Sequence, residues 1–305
     1  PVELQPCNFE KGDDAKVLHF LTQPDVVSSQ QLGDDWSVTA LLDAIATAEP
    51  PYHALIDTGA LITGLSNKQV AAFLLRNGLG AWCEGVVFLD ETDSKVILVR
   101  ETGRVLKLSQ CGIDKSRRFA FYDQIHTTGI DIQHALNARA AITLGKDMVF
   151  RDFAQGAYRM RQIGKGQTLV VMVTPEVQQL IDRQLAKCGP GSAVVESSLA
   201  ADAAATQTQL RRVTAWLVVN AMRTERTQFD QLCAQNLANV WRSNAHRQLV
   251  AGYEHFKVRT EEISAYVWES LGEAFLSSKR GGVCIVNISS ISGVTVDHTG
   301  CVYHM

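Results

Sequence analysis

The middle of the chain alternates apolar runs of strand length with polar, glycine-containing segments. Phe119–Tyr122, Ala140–Leu144 and Leu169–Val173 are short and bounded by turn residues, which predicts buried strands. His53–Asp57 and Gly85–Leu89 have the same character further upstream, and a turn is expected at Asp90–Ser94. Lys95–Val99 and Arg104–Leu108 flank Thr102-Gly103 as a hairpin. Between these runs lies helical periodicity. Ser66, three residues before Gln69, predicts a capping box ahead of a helix with Val70, Phe73 and Leu74 on one face, ended by Asn77-Gly78. Strand, helix, strand order from 53 to 174 predicts an α/β layer with a mainly parallel sheet flanked by helices.

The flanks have a different rhythm. Val17–Leu21 predicts a short strand or turn. Val38–Ala48 predicts a helix capped by Ser37 or Thr39, with Leu41, Leu42 and Ile45 as its stripe. Glu49-Pro50-Pro51 stops that helix, and a domain boundary is placed there. After Thr174 the period turns helical: Val177, Leu180, Ile181 and Leu185 follow Pro175, and Gly189 lies just past the end. A longer helical pattern runs from Ala200 to Phe256, through Leu210, Val213, Leu217, Phe229, Leu232, Leu237 and Trp241. A last helix near Thr260–Leu276 and a strand at Val283–Ile288 close the chain. The expected division is a segment 1–49 continuing an upstream domain, an α/β domain 50–176, a mostly α-helical region 177–280 and a strand-containing tail 281–305.

Composition narrows the class. A chain of 305 residues, 46% hydrophobic and 20% charged, is an ordinary globular protein with room for one large domain or two smaller ones. A net charge of -3 argues against a surface that coats nucleic acid, while leaving a local basic patch open. Residues 210–260 hold eight Arg/Lys and three acidic residues, a surplus of five positive charges (8 − 3). They are expected to be solvated on a helical arm, or to touch RNA, DNA or an acidic partner. Trp216, Phe229 and Trp241 fall at stripe positions, where core packing explains them better than base stacking. No apolar run has membrane-spanning length, so no membrane contact is expected. The chain opens on Pro1 and reads as a piece of something longer. Its seven cysteines are scattered, without a CxxC pair. That predicts reduced thiols, no structural zinc, and an intracellular setting in cytoplasm or nucleus.

Candidate chemistry concentrates between Arg118 and Thr174. Thr127-Thr128-Gly129-Ile130-Asp131 either forms an anion-binding concavity of backbone amides or is a plain strand-to-helix turn capped by Asp131. Gln155, Arg159 and Arg161 follow on a predicted helix. Met148, Phe153 and Tyr158 cannot share one stripe with Arg159, so the arginines are expected to project from the core. On an ideal helix they stand about 200° apart, so one of them reaches a given site. Such an arginine either stabilises charge on a transferring phosphoryl group or is simply solvated. For thiol chemistry the local set is Cys111 in Ser109-Gln110-Cys111-Gly112, with His126 as base and Asp123 as orienting group; the alternative is a bystander cysteine.

The order of these pieces resembles the second RecA-like lobe of superfamily-two helicases. Gly129-Ile130-Asp131 matches the Gly-x-Asp of that lobe's motif V. Motif VI, Gln-x-x-Gly-Arg-x-x-Arg-x-Gly, falls on Gln155, Tyr158 in place of glycine, Arg159, Gln162 in place of the second arginine, and Gly164. Arg161 sits one residue from the expected place. The resemblance implies contact of Gly129, Asp131, Gln155, Arg159 and Arg161 with a nucleotide or phosphate. The chain has no Gly-x-x-x-x-Gly-Lys-Ser/Thr loop, so ATP and magnesium could be held only with an upstream lobe.

The wording is nearer still to one group. LIDTGALITG, GVVFLD, FYDQIHTTGIDI, LNARAAITLGKDM and RDFAQGAYRMRQIGKGQT are similar to a region of very large multidomain eukaryotic proteins of the ubiquitin thioesterase family. That resemblance covers most of residues 50–176. It implies thiol-dependent hydrolysis of ubiquitin conjugates and contact with ubiquitin or ubiquitinated proteins. This piece is then expected to be a diverged helicase-like lobe outside the catalytic domain. The alternatives are the trailing lobe of an ATP-driven nucleic-acid translocase and an inactive scaffold lobe for protein contacts.

Overall fold

A computed structural model describes residues 12–187, 201–255, 294–296 and 302–304. The chain divides into two compact units, Pro1–Met222 and Arg223–Met305. In the first, the described residues form an eight-stranded sheet: β1 Val27–Gln31, β2 Ala54–Ile56, β3 Gly85–Leu89, β4 Lys95–Val99, β5 Val105–Lys107, β6 Arg118–Tyr122, β7 Arg139–Thr143 and β8 Thr168–Val173. Their spatial order is β1-β8-β7-β2-β6-β3-β4-β5. Every pairing from β1 to β3 is parallel, and β4 and β5 add antiparallel strands beyond β3. The expected α/β class with a mainly parallel sheet is therefore observed.

Strands of the middle are buried on both faces, which is why they read as continuous apolar runs; all of β3 is inaccessible. One face packs on α2 Val38–Ala46 and α3 Asn67–Asn77, through Leu41, Leu42, Ile45, Val70 and Leu74. The other packs on α1 Asp13–Leu21, α4 Phe150–Ala157, α5 Pro175–Ala186 and the start of α6 Ala201–His255, through Leu21, Phe153, Val177, Ile181, Leu210, Val213 and Trp216. Local signals agree with these elements. Ser66 and Gln69 form the predicted capping box, with bonds of 3.3 and 2.7 Å. Ser37 Oγ accepts from Ala40 N at 3.1 Å, and Thr174 Oγ1 accepts from Val177 N at 3.3 Å.

Four expectations differ from the structure. Val17–Leu21 belongs to a helix, α1, not a strand or turn. The boundary expected at Glu49-Pro50-Pro51 lies inside the first unit, because β1 pairs with β8 and α2 packs against the same sheet. Trp216 is buried as expected, but Phe229 is 63% and Trp241 49% exposed: the buried positions of α6 stop at Leu217. Arg159 is buried rather than projecting. In the second unit the described residues are α6 beyond Met222 and an antiparallel pair, β9 Val294–Val296 with β10 Val302–His304. Gly189, the expected helix at Thr260–Leu276 and the expected strand at Val283–Ile288 lie outside the described residues. Among the described residues no helix is long and apolar enough to cross a membrane.

Candidate functional site

Strand order reverses around β2. The chain leaves it toward β3, returns to β6 at its side, then crosses to β7 on the other side. In open α/β sheets, the crevice outside the carboxyl ends at such a point is where ligands bind. Here the carboxyl ends of β2, β6 and β7 carry Asp57-Thr58-Gly59, Asp123–Asp131 and Leu144-Gly145-Lys146. They enclose a crevice of about 480 Å³ lined by Thr58, Gln124, Thr127, Thr128, Lys146 and Asp152 among others.

One buried carboxylate builds the β2 side. Asp57 is 2% exposed and takes the Leu61 and Ile62 N–H groups at 2.9 Å each, so it holds the following loop in a turn. Thr143 Oγ1, at the end of β7, donates to Asp57 Oδ1 at 2.6 Å and accepts the Gly59 N–H at 2.9 Å. Thr58 Oγ1 donates to the Thr143 carbonyl at 2.5 Å. Burial pushes the Asp57 carboxyl up, and the bonds from Thr143, Ile62 and Leu61 counter it only in part. These bonds draw β2 and β7 so close that a Cβ at Gly59 would stand 2.5 Å from the Leu144 carbonyl carbon. Only glycine fits there.

On the β6 side, Asp123 and His126 come together as the sequence predicted, yet not as half of a thiol site. His126 Nδ1 bonds Asp123 Oδ1, and Nε2 meets Asp93 Oδ1 at 2.8 Å. Both ring nitrogens are engaged, which leaves none for a thiol. Burial opposes the imidazolium, but bonds to Asp93 and Asp123 outweigh it and hold the His126 pKa above its ordinary value. Cys111 is a free, half-buried thiol packed against the core, without a hydrogen bond to His126. Tyr122 OH accepts the Ile132 N–H at 3.2 Å and lies 3.0 Å from His134 Nε2. Burial holds His134 down to about 4, so its ring is neutral at pH 7.

Arg159 and Arg161 meet the segment that follows Gly129. Gly129 turns the chain at φ 80°, a left-handed conformation that glycine adopts without strain. Arg159 Nη1 then donates to the Ile130 carbonyl, and its Nε donates to the Gln155 carbonyl at 3.3 Å. Arg161 Nε bonds Asp131 Oδ1 at 3.2 Å with both side chains about half exposed. Arg159 turns inward because α4 ends at Ala157: the 200° spacing of an unbroken helix does not apply, and two carbonyls wait inside. Gln155 is exposed on α4, and its carbonyl accepts from Arg159 Nε.

The basic arm is partly neutralised. Arg212 bonds Asp182 at 2.6 Å and Arg226 bonds Asp230 at 3.1 Å. Among the described residues no group of three or more His, Cys, Asp or Glu is placed to hold a metal ion. The Asp57–Thr143 lock escaped the sequence reading, although the aspartate ending HALID before Thr-Gly was its visible half. Comparison with protein-family models, curated proteins and solved structures finds no match to this chain.

Proposed function

We propose that this chain is a diverged second RecA-like lobe acting as a non-catalytic positioning lobe within a large protein of the ubiquitin thioesterase family. The observation that carries the non-catalytic reading is the use of the arginines: Arg159 is buried on two main-chain carbonyls and Arg161 is paired with Asp131. A phosphoryl-stabilising arginine needs donors held open toward the transferring group. The doubly bonded His126 supports the same reading for thiol chemistry, since a general base needs a free nitrogen within reach of the nucleophile. The family assignment rests on the runs quoted above.

The test is covalent labelling of the full-length protein with a ubiquitin active-site probe. The expected result is an adduct that persists in Cys111→Ala. Loss of the adduct in that variant would return the nucleophile to this chain, and absence of any adduct would remove the thioesterase assignment.

One observation favours the translocase reading instead. The crevice at the carboxyl ends is lined by Lys146 and Thr128, which can contact a sugar-phosphate backbone, beside Asp147 and Asp152. Under that reading, single-stranded RNA or DNA protects this crevice in hydrogen exchange and Lys146→Gln weakens binding.

A further inference from the structure

A second concavity lies away from the crevice, between the β4–β5 hairpin, the connection into β6 and the segment after the Gly129 turn. Its volume is about 660 Å³, within the range of small-molecule sites. Lys95, Lys107, Lys115 and Arg118 line it, with Asp93 and Asp131. Four cations from three stretches of chain thus converge in a protein whose net charge is -3, so the cluster does not follow from composition.

Asp131 is neutralised by Arg161, whereas His126 is shared by Asp93 and Asp123 and leaves one negative charge beside the four cations. Asp93 Oδ1 meets His126 Nε2 at 2.8 Å, and Asp131 Oδ1 takes Arg161 Nε at 3.2 Å. Among the described residues, none of the three lysines nor Arg118 has a carboxylate within ion-pair distance. Arg118 is held in place by Nη2, which donates to the Ile113 carbonyl, while its Nε is buried without an acceptor. Buried donors nearly always have a partner and this Nε has none, so what Arg118 offers the groove is its charge. Four like charges around one hollow repel one another in the free protein, and an anion that bridges them relieves this.

We infer that this groove binds a compact polyanion, a small molecule carrying a diphosphate group. A single phosphate carries a charge of about -2 at pH 7, less than the surplus of three positive charges that four cations and one uncompensated carboxylate leave (4 − 1). Leu108, Ile132 and the aliphatic stems of the lysines add apolar surface beside the charges. Guanidinium and ammonium groups are the donors that proteins use on phosphate oxygens. The inference shares the Asp131–Arg161 pair with the proposed function but uses neither Arg159 nor Cys111.

Isothermal titration of the full chain at constant ionic strength tests it, with pyrophosphate, ADP and sulfate as separate ligands. Pyrophosphate is expected to bind at least tenfold more tightly than sulfate. Lys107→Gln/Lys115→Gln, at two exposed positions, is expected to lower that affinity at least tenfold, while Lys68→Gln on α3 leaves it unchanged. Equal affinity for pyrophosphate and ADP assigns recognition to the diphosphate alone, and tighter ADP binding adds a nucleoside contact. Equal, weak binding of sulfate and pyrophosphate, or a double variant that binds as the parent does, overturns the inference.

Discussion

Replacing Arg159 by methionine separates the two roles open to this arginine. Methionine keeps much of the buried aliphatic stem and removes the guanidinium. In the structure that guanidinium donates to the Ile130 and Gln155 carbonyls at a site only 8% exposed. A hydrogen bond from a charged donor contributes about 1.5–3 kcal/mol, and a buried acceptor left unpaired costs about 1–3 kcal/mol. Water can reach part of the vacated site, so we expect a net loss of about 3 kcal/mol. For a unit of this size, running to Met222, each kcal/mol lowers Tm by about 2–4 °C, which gives a drop of roughly 6–12 °C. Thermal melting followed by far-ultraviolet circular dichroism measures it, with the urea midpoint as a second readout. Arg161→Met, which removes an exposed pair, is expected to change stability by less than about 1 kcal/mol. If Arg159→Met melts with the parent while a nucleotide-dependent activity of the full-length protein collapses, the arginine faces a phosphate and the structural argument is refuted.

Thr143→Val keeps the shape of the residue but takes a donor from the buried Asp57 and the acceptor from Gly59 N–H. A loss of about 2 kcal/mol in urea unfolding is expected, and no loss would show that the β2–β7 lock is unimportant. His126 gives a pH signature. Its folded pKa is raised, so its contribution is complete below the unfolded value of about 6.5 and is lost as pH rises through the folded value. His126→Gln should flatten that part of the stability profile, and a two-dimensional NMR titration should place the ring's midpoint above that of an unfolded histidine.

The central strands were legible because burial on both faces leaves apolar runs through their middles, with Arg118, Arg139, Thr143 and Thr168 only at their ends. β1 was not, for the complementary reason. Its sequence, Val27-Ser28-Ser29-Gln30-Gln31, is that of an edge strand whose one sheet partner among the described residues is β8, far along the chain. Its conformation is set by five register pairs to β8 rather than by its own propensity. The same dependence moved the domain boundary. Glu49-Pro50-Pro51 does stop α2, but a helix stop is a local event, whereas membership of the sheet is decided by pairing across the fold.

Side-chain direction was the harder part, and Arg159 shows why. The arginines, in the connection from α4 to β8, meet the Gly129–Asp131 turn in the connection from β6 to β7, although β2 stands between β6 and β7 in the sheet. Whether an arginine then faces a ligand or the protein depends on where one short helix ends. Had α4 continued through Arg161, Arg159 and Arg161 would have diverged. Because it stops at Ala157, each arginine instead reaches the turn, one through a carbonyl and one through Asp131. The four-cation groove was hidden in another way: Lys95, Lys107, Lys115 and Arg118 are individually unremarkable charges that become a cluster only once β4 and β5 fold back on β3. Local patterning therefore carries information about which segments meet, while the charge that a site presents depends on which partners have already been satisfied when they do.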